Sequence, residues 1–167
     1  MSLRTRGAVV SALSGCLLLA PALASCSDTG PVAVDTPSVS DADRATCAAF
    51  LDDLPHTLAG QERRDVTPSD ALGAAWGDPA ITLTCGVSLP ADFDRFATCE
   101  EADGVGWFVP VAESSDQSSD VTLTAAGYRP IVRVQLPASY RPEGAATVIS
   151  QLAQPVKDGL ELVDRCH

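Results

Sequence analysis

Ile81-Thr82-Leu83-Thr84-Cys85-Gly86-Val87 alternates apolar with small or polar residues, so an extended chain here collects Ile81, Leu83, Cys85 and Val87 on one face. That is the pattern of a strand with one side buried. Gly77-Asp78-Pro79 turns the chain into it, and three further strands are expected at Val105 to Val111, Asp120 to Ala125 and Ile131 to Leu136. The last two are joined by a short Gly-containing connection suited to a hairpin, which favours antiparallel pairing.

Outward from the strands, the periodicity changes. Ser40 with Asp43 makes a capping-box-like start, after which Cys47, Phe50, Leu51 and Leu54 fall at i, i+3, i+4 and i+7. This predicts an amphipathic helix that stops at Pro55, where a backbone donor is missing. A short helix is expected from Pro68 to Trp76, capped by Thr67 and closed by Gly77. From Glu143 to Cys166 the stripe Val148, Ile149, Leu152, Val156, Leu160 and Val163 predicts a long closing helix, with Pro155 kinking or splitting it near Gln154. The expected fold class is therefore α+β: about four antiparallel strands covered by an N-terminal and a long C-terminal helix. Such a core consumes nearly every large apolar residue and leaves little for a ligand pocket.

The N-terminal segment carries an address. Arg4 and Arg6 precede an apolar run from Gly7, and Leu23-Ala24-Ser25-Cys26 at its end reads as a lipobox. Residues 1–25 are expected to be a lipoprotein signal, Cys26 the lipidation site, residues 26–41 a flexible tether poor in apolar periodicity, and residues 42–167 a single globular domain. The expected location is the outer face of a cytoplasmic membrane, with lipid on Cys26 as the membrane contact. Two other readings stay open: cleavage at the A-x-A site Ala22-Leu23-Ala24, which gives a secreted protein, and an uncleaved anchor, against which Pro21 argues.

Charge narrows the partners. Removing residues 1–25 leaves nine basic against 22 acidic residues, a formal net charge of −13, which opposes binding to nucleic acid and to anionic head groups. Arg63-Arg64 is expected to be a solvated loop paired with Glu62 and Asp65. Ten arginines against one lysine, with abundant Ala, Gly, Pro and Asp, suggest a GC-rich bacterial genome. Cys47, Cys85, Cys99 and Cys166 remain for the folded body and allow three pairings. No C-x-x-C spacing points to zinc or redox chemistry, so two disulfides are expected. Cys47 and Cys85 lie on the apolar faces of the first helix and first strand, and Cys99 with Cys166 would pin the end of the chain. The pairing expected is Cys47 with Cys85 and Cys99 with Cys166.

The residues from Cys47 through Phe50-Leu51, Leu54-Pro55, Ala59-Gly60-Gln61 and Arg63-Arg64, then Ala75-Trp76-Gly77-Asp78-Pro79, Leu83, Cys85-Gly86-Val87 and Gly104-Val105-Gly106-Trp107-Phe108, carry a resemblance. They resemble the actinobacterial lipoprotein and secreted-protein family called domain of unknown function 3515, from Cys47 to about Leu162. The resemblance implies envelope localisation in a GC-rich Gram-positive lineage. It transfers no catalytic residue.

No constellation in the sequence specifies a reaction. His56 follows the first helix, where a cation complements the negative helix end, and no spacing supplies it with a nucleophile or an orienting carboxylate. His167 is terminal. Asp116, Ser118 and Asp120 alternate like the first ligands of a calcium loop, but the sixth position is Val121 instead of Gly and the twelfth is Gly127 instead of Glu. The acidic cluster of Glu100, Glu101 and Asp103 reads as a solvated loop. Trp76 and Trp107 are expected in the core, and because Trp107 and Phe108 point to opposite faces of a strand, one of them is expected to be exposed. No catalytic residue, metal or cofactor is assigned. The expected function is a noncatalytic envelope module that binds a protein or wall component, with a small extracytoplasmic enzyme as the alternative.

Overall fold

The computed structural model describes residues 30–166. The strands are β1 (Val32–Ala33), β2 (Thr57–Leu58), β3 (Gln61–Arg64), β4 (Val66–Thr67), β5 (Gly73–Trp76), β6 (Ile81–Cys85), β7 (Cys99–Ala102), β8 (Val105–Phe108), β9 (Val121–Thr124), β10 (Tyr128–Arg129), β11 (Val132–Leu136) and β12 (Glu161–Leu162). The helices are α1 (Asp41–Asp52), α2 (Val111–Ser115) and α3 (Arg141–Gly159), the last preceded by a 3₁₀ turn at Ala138–Tyr140. Eight strands form one antiparallel sheet in the order β2-β3-β5-β6-β11-β9-β8-β7.

This corrects the expected α+β class. The protein is mostly β, with an eight-stranded sheet and three helices in place of about four strands under an N-terminal and a long C-terminal helix. The segment expected as a short helix, Pro68 to Trp76, contains instead strand β5, whose Gly-Ala-Ala-Trp is buried throughout. Alanines favour a helix in isolation, but pairing with β3 and β6 on both sides overrides that weak preference. The closing helix ends at Gly159, well short of Cys166, and it runs on through Pro155 instead of splitting. Leu152, Val156 and Leu160 are buried on either side of the proline and hold both halves against the core.

One face of the sheet carries the main core. The register places Trp76, Ile81, Leu83, Cys85, Val132 and Val134 on that side, where they meet Cys47, Phe50 and Leu51 of α1 and Val148, Leu152 and Val156 of α3. The two helices touch closely, since a Cβ added at Gly159 would lie 3.2 Å from the Phe50 ring. Helix α1 starts as its sequence demands, with the Ser40 hydroxyl accepting from Asp43 N at 3.1 Å.

Disulfides join Cys47 to Cys85 and Cys99 to Cys166, with Cα separations of 5.7 and 5.6 Å. The first staples α1 to β6. The second crosses from β7 to a return strap that follows α3, in which β12 pairs with β10 and Asp164 N donates to Gly127 O.

The opposite face is partly covered by two chain segments. β1 pairs in parallel with β4, and Val34, buried, lies over Gly73, where a Cβ would collide with Val34 Cγ1 and sit 2.5 Å from Leu83 O. Residues Gly30 to Val34, expected within a free tether, are thus attached to the body. Further along, Ser88 O accepts from Arg133, and Phe93 packs edge-on against Phe108 at 5.2 Å.

Nonreducing peptide mapping should recover Cys47 linked to Cys85 and Cys99 linked to Cys166, each bond contributing on the order of 4 kcal/mol in the chain-entropy model. A Cys47 peptide linked to Cys99 or Cys166 would contradict this fold. Gly73→Ala should cost about 1–3 kcal/mol in denaturant unfolding and speed hydrogen exchange at Val34, whose N–H donates to Thr67 O. Wild-type stability and exchange in that variant would refute the packing of Val34 on Gly73.

Candidate functional site

The residues singled out in the sequence do not converge on one place. His56 is exposed in the turn after α1, and its carbonyl accepts from Arg63 N. The C-terminal end of α1 is met by Arg63 instead: its guanidinium donates to Leu51 O and Leu54 O and lies 5.7 Å from the Trp76 ring centroid. Arg64 likewise donates to Gly77 O and Gly30 O. The pair expected as a solvated loop is therefore half-buried on β3, tying backbone together.

Trp76 is fully buried, with Nε1 donating to Pro55 O, and Trp107 is fully buried too. Phe108, on the other side of β8, is 4% exposed, which corrects the expectation that one of the adjacent pair is open to solvent. Phe93 accounts for the difference. Glu100 and Glu101 lie in edge strand β7, and Asp103 with Gly104 forms the turn to β8, both with positive φ. Asp-Gly between two strands is a strong hairpin signal that the reading of this stretch as a loop passed over.

Asp116, Ser118 and Asp120 do not face a common centre. The Asp116 carboxylate accepts from Ser118 N, Ser118 Oγ and Ser119 Oγ, closing a local turn, while Asp120 Oδ1 accepts from Ala138 N. Among the described residues, no group of three or more His, Cys, Asp or Glu side chains is placed to hold a metal ion. None of the helices there is long and apolar enough to cross a membrane. Cys26, His167 and the signal segment lie outside the described residues.

The site with the most chemical content is a cleft of about 250 Å³ between α3, α2 and the β7–β8–β9 end of the sheet. It arises because β8 and β9 share a single residue pair, Phe108 with Thr124, and separate beyond it. Glu113 of α2 fills part of the gap by accepting from Thr122 N at 2.6 Å, which holds α2 as one wall. Val109, Val121 and Leu123 make the apolar floor, and Arg141, Glu100 and Gln117 supply the polar lining.

Arg141 opens α3 and is 7% exposed. Its Nη1 donates to the backbone carbonyls of Asp116 and Ser119, while its Nε has no partner among the described residues. Sequence spacing gave no sign of this residue, because its surroundings come from a loop more than 20 positions upstream.

A family model described as Protein of unknown function (DUF3515) matches residues 7–164. The chain belongs to this family. The match takes in both disulfides' first cysteines and Arg141, and it bears out the resemblance carried by the Trp76-Gly77-Asp78-Pro79 and Gly106-Trp107-Phe108 segments. No curated protein and no solved structure matches the chain. For this DUF3515 chain, then, the geometry is the guide to what the cleft does.

Hydrogen bonds from the Ser118 hydroxyl and N–H and from Ser119, with Arg141 adding attraction, hold the Asp116 carboxyl below the usual aspartate range. Because the folded value is lowered, the turn's contribution is present above the ordinary aspartate pKa and is lost as pH falls through the folded value. A carboxyl-detected NMR titration should show Asp116 protonating at lower pH than an unstructured aspartate, and Ser118→Ala should move it back up. An unshifted Asp116 would contradict the turn.

Proposed function

We propose that this protein is a lipid-anchored module on the outer face of a cytoplasmic membrane, held by lipid on Cys26, which binds a ligand or partner of the cell envelope without catalysis. The observation that carries the reading is Leu23-Ala24-Ser25-Cys26 at the end of an apolar run behind Arg4 and Arg6. Two disulfides support it, since such bonds form and persist in oxidising compartments outside the cytosol. The net acidic charge suits a soluble body beside a membrane and disfavours nucleic acid.

A binding role suits the cleft better than chemistry does. The cleft offers one buried cation over an apolar floor, with Glu100, Ser114 and Gln117 on its lining, and its one hydroxyl, Ser114 Oγ, donates to Val111 O. Orientation and charge recognition are what such a set provides.

Cells making the wild-type chain and Cys26→Ala should be fed a palmitate analogue. The wild type is expected to take up label and fractionate with membranes, and the variant to lose both. An unlabelled wild type released into the medium would instead support cleavage after Ala24, and a labelled Cys26→Ala would place the lipid elsewhere; either result overturns the anchor.

A further inference from the structure

Arg141 poses an electrostatic problem that its own chain leaves half solved. A guanidinium stays charged at any pH a protein meets, and burying it is costly unless its donors are bonded and its charge is balanced. Here Nη1 has two neutral acceptors, the carbonyls of Asp116 and Ser119, while Nε is enclosed without any acceptor among the described residues. The Asp116 carboxylate feels the charge of Arg141, but its hydrogen bonds come from Ser118 and Ser119 and not from the guanidinium. Residue 141 is also the first of a 19-residue helix, whose amino end adds positive potential.

The cleft that Arg141 lines defines what can complete it. An edge of a guanidinium presents two parallel donors that match a carboxylate, so an acid group is the fitting acceptor. Val109, Val121 and Leu123 below it favour an apolar body, and about 250 Å³ limits that body to a few heavy atoms beyond the acid. Glu100 on the lining, in a chain of net negative charge, disfavours a polyanion.

We propose that this cleft binds a small monocarboxylate with an apolar body, the acid engaging the Nε edge of Arg141. The proposal rests on the reading of the chain as a binding module and names its ligand class. Because Nε is enclosed, engagement requires a local opening around it. Two sources share this chemistry, the free C-terminus of a short peptide and a short free acid.

Ligand-observed saturation-transfer NMR on the processed protein purified from cells separates them, using N-acetyl-alanine, butyrate and the uncharged N-acetyl-alaninamide as probes. At least one carboxylate should bind in the millimolar range, about tenfold or more tighter than the amide. Preference for N-acetyl-alanine identifies a peptide terminus, and preference for butyrate a free acid. Ala146 is an exposed residue of the cleft lining, so Ala146→Phe should abolish the signal while leaving the unfolding midpoint near that of the wild type. Arg141→Gln should weaken carboxylate binding tenfold or more, and if it fails to fold, Ala146→Phe still decides. The proposal is overturned by silence from both carboxylates, by equal binding of the amide, or by undiminished binding to Ala146→Phe. None of these outcomes touches the lipid on Cys26, so the anchor and the ligand stand or fall separately.

Discussion

The covalent staple between Cys47 and Cys85 is the constraint on which the rest of the molecule depends. It fixes the middle of α1 to β6, a strand near the centre of an eight-stranded sheet, and so decides which face of that sheet becomes the interior. Arg63 then secures the end of the same helix through the carbonyls of Leu51 and Leu54 while its charge lies over Trp76. With α1 immobile, Phe50 presents the surface against which Gly159 of α3 can close. The other end of α3 carries Arg141 to the place where β8 and β9 part. Helix α3 thus runs from its contact with the stapled helix at Gly159 to the cleft at Arg141.

The elements legible in the sequence were those whose side chains are divided between an interior and an exterior. Ile81 to Cys85 and Val132 to Leu136 alternate because the sheet's two faces differ, and Cys47, Phe50 and Leu51 recur at helical spacing because α1 has one inward stripe. Elements lacking that contrast were invisible or misread. β5 is buried on both faces, so Gly73 to Trp76 shows no alternation. β3 and β7 are at or near the sheet's edges and are built from Gln-Glu-Arg-Arg and Cys-Glu-Glu-Ala, compositions that look like loop until their partners are known. β1 is two residues long and is held by a neighbour more than 30 positions away. Apart from the Asp103-Gly104 turn that marks the β7–β8 hairpin, these are contacts of the folded chain that no local pattern encodes.

The cleft was hidden for a related reason. A four-stranded sheet under two helices was expected to consume nearly every large apolar residue, whereas in the eight-stranded sheet β8 and β9 share one pair before diverging. Arg141 drew no notice because nothing adjacent to it in sequence marks it, and its acceptors come from Asp116 and Ser119. The residues that did attract attention found plainer work. Asp116 and Ser118 close a turn, and Arg63 caps a helix. Arg141, isolated in sequence, lines the cleft together with Glu100 of the acidic cluster, while Asp116, Ser118 and Arg63 serve the backbone.

The pairing of β1 with β4 carries a consequence for geometry at a membrane. Val32 is already part of the folded body, and it lies six residues after Cys26. Fully drawn out, that much chain spans about 20 Å. If Cys26 carries lipid, the body rides on a short leash, and the corner formed by β1, β4 and the Arg64 contact to Gly30 is the part that faces the bilayer. The molecule would then swivel about one corner instead of roaming on a long stalk. In that case a partner would have to come within a shallow layer directly above the lipid surface.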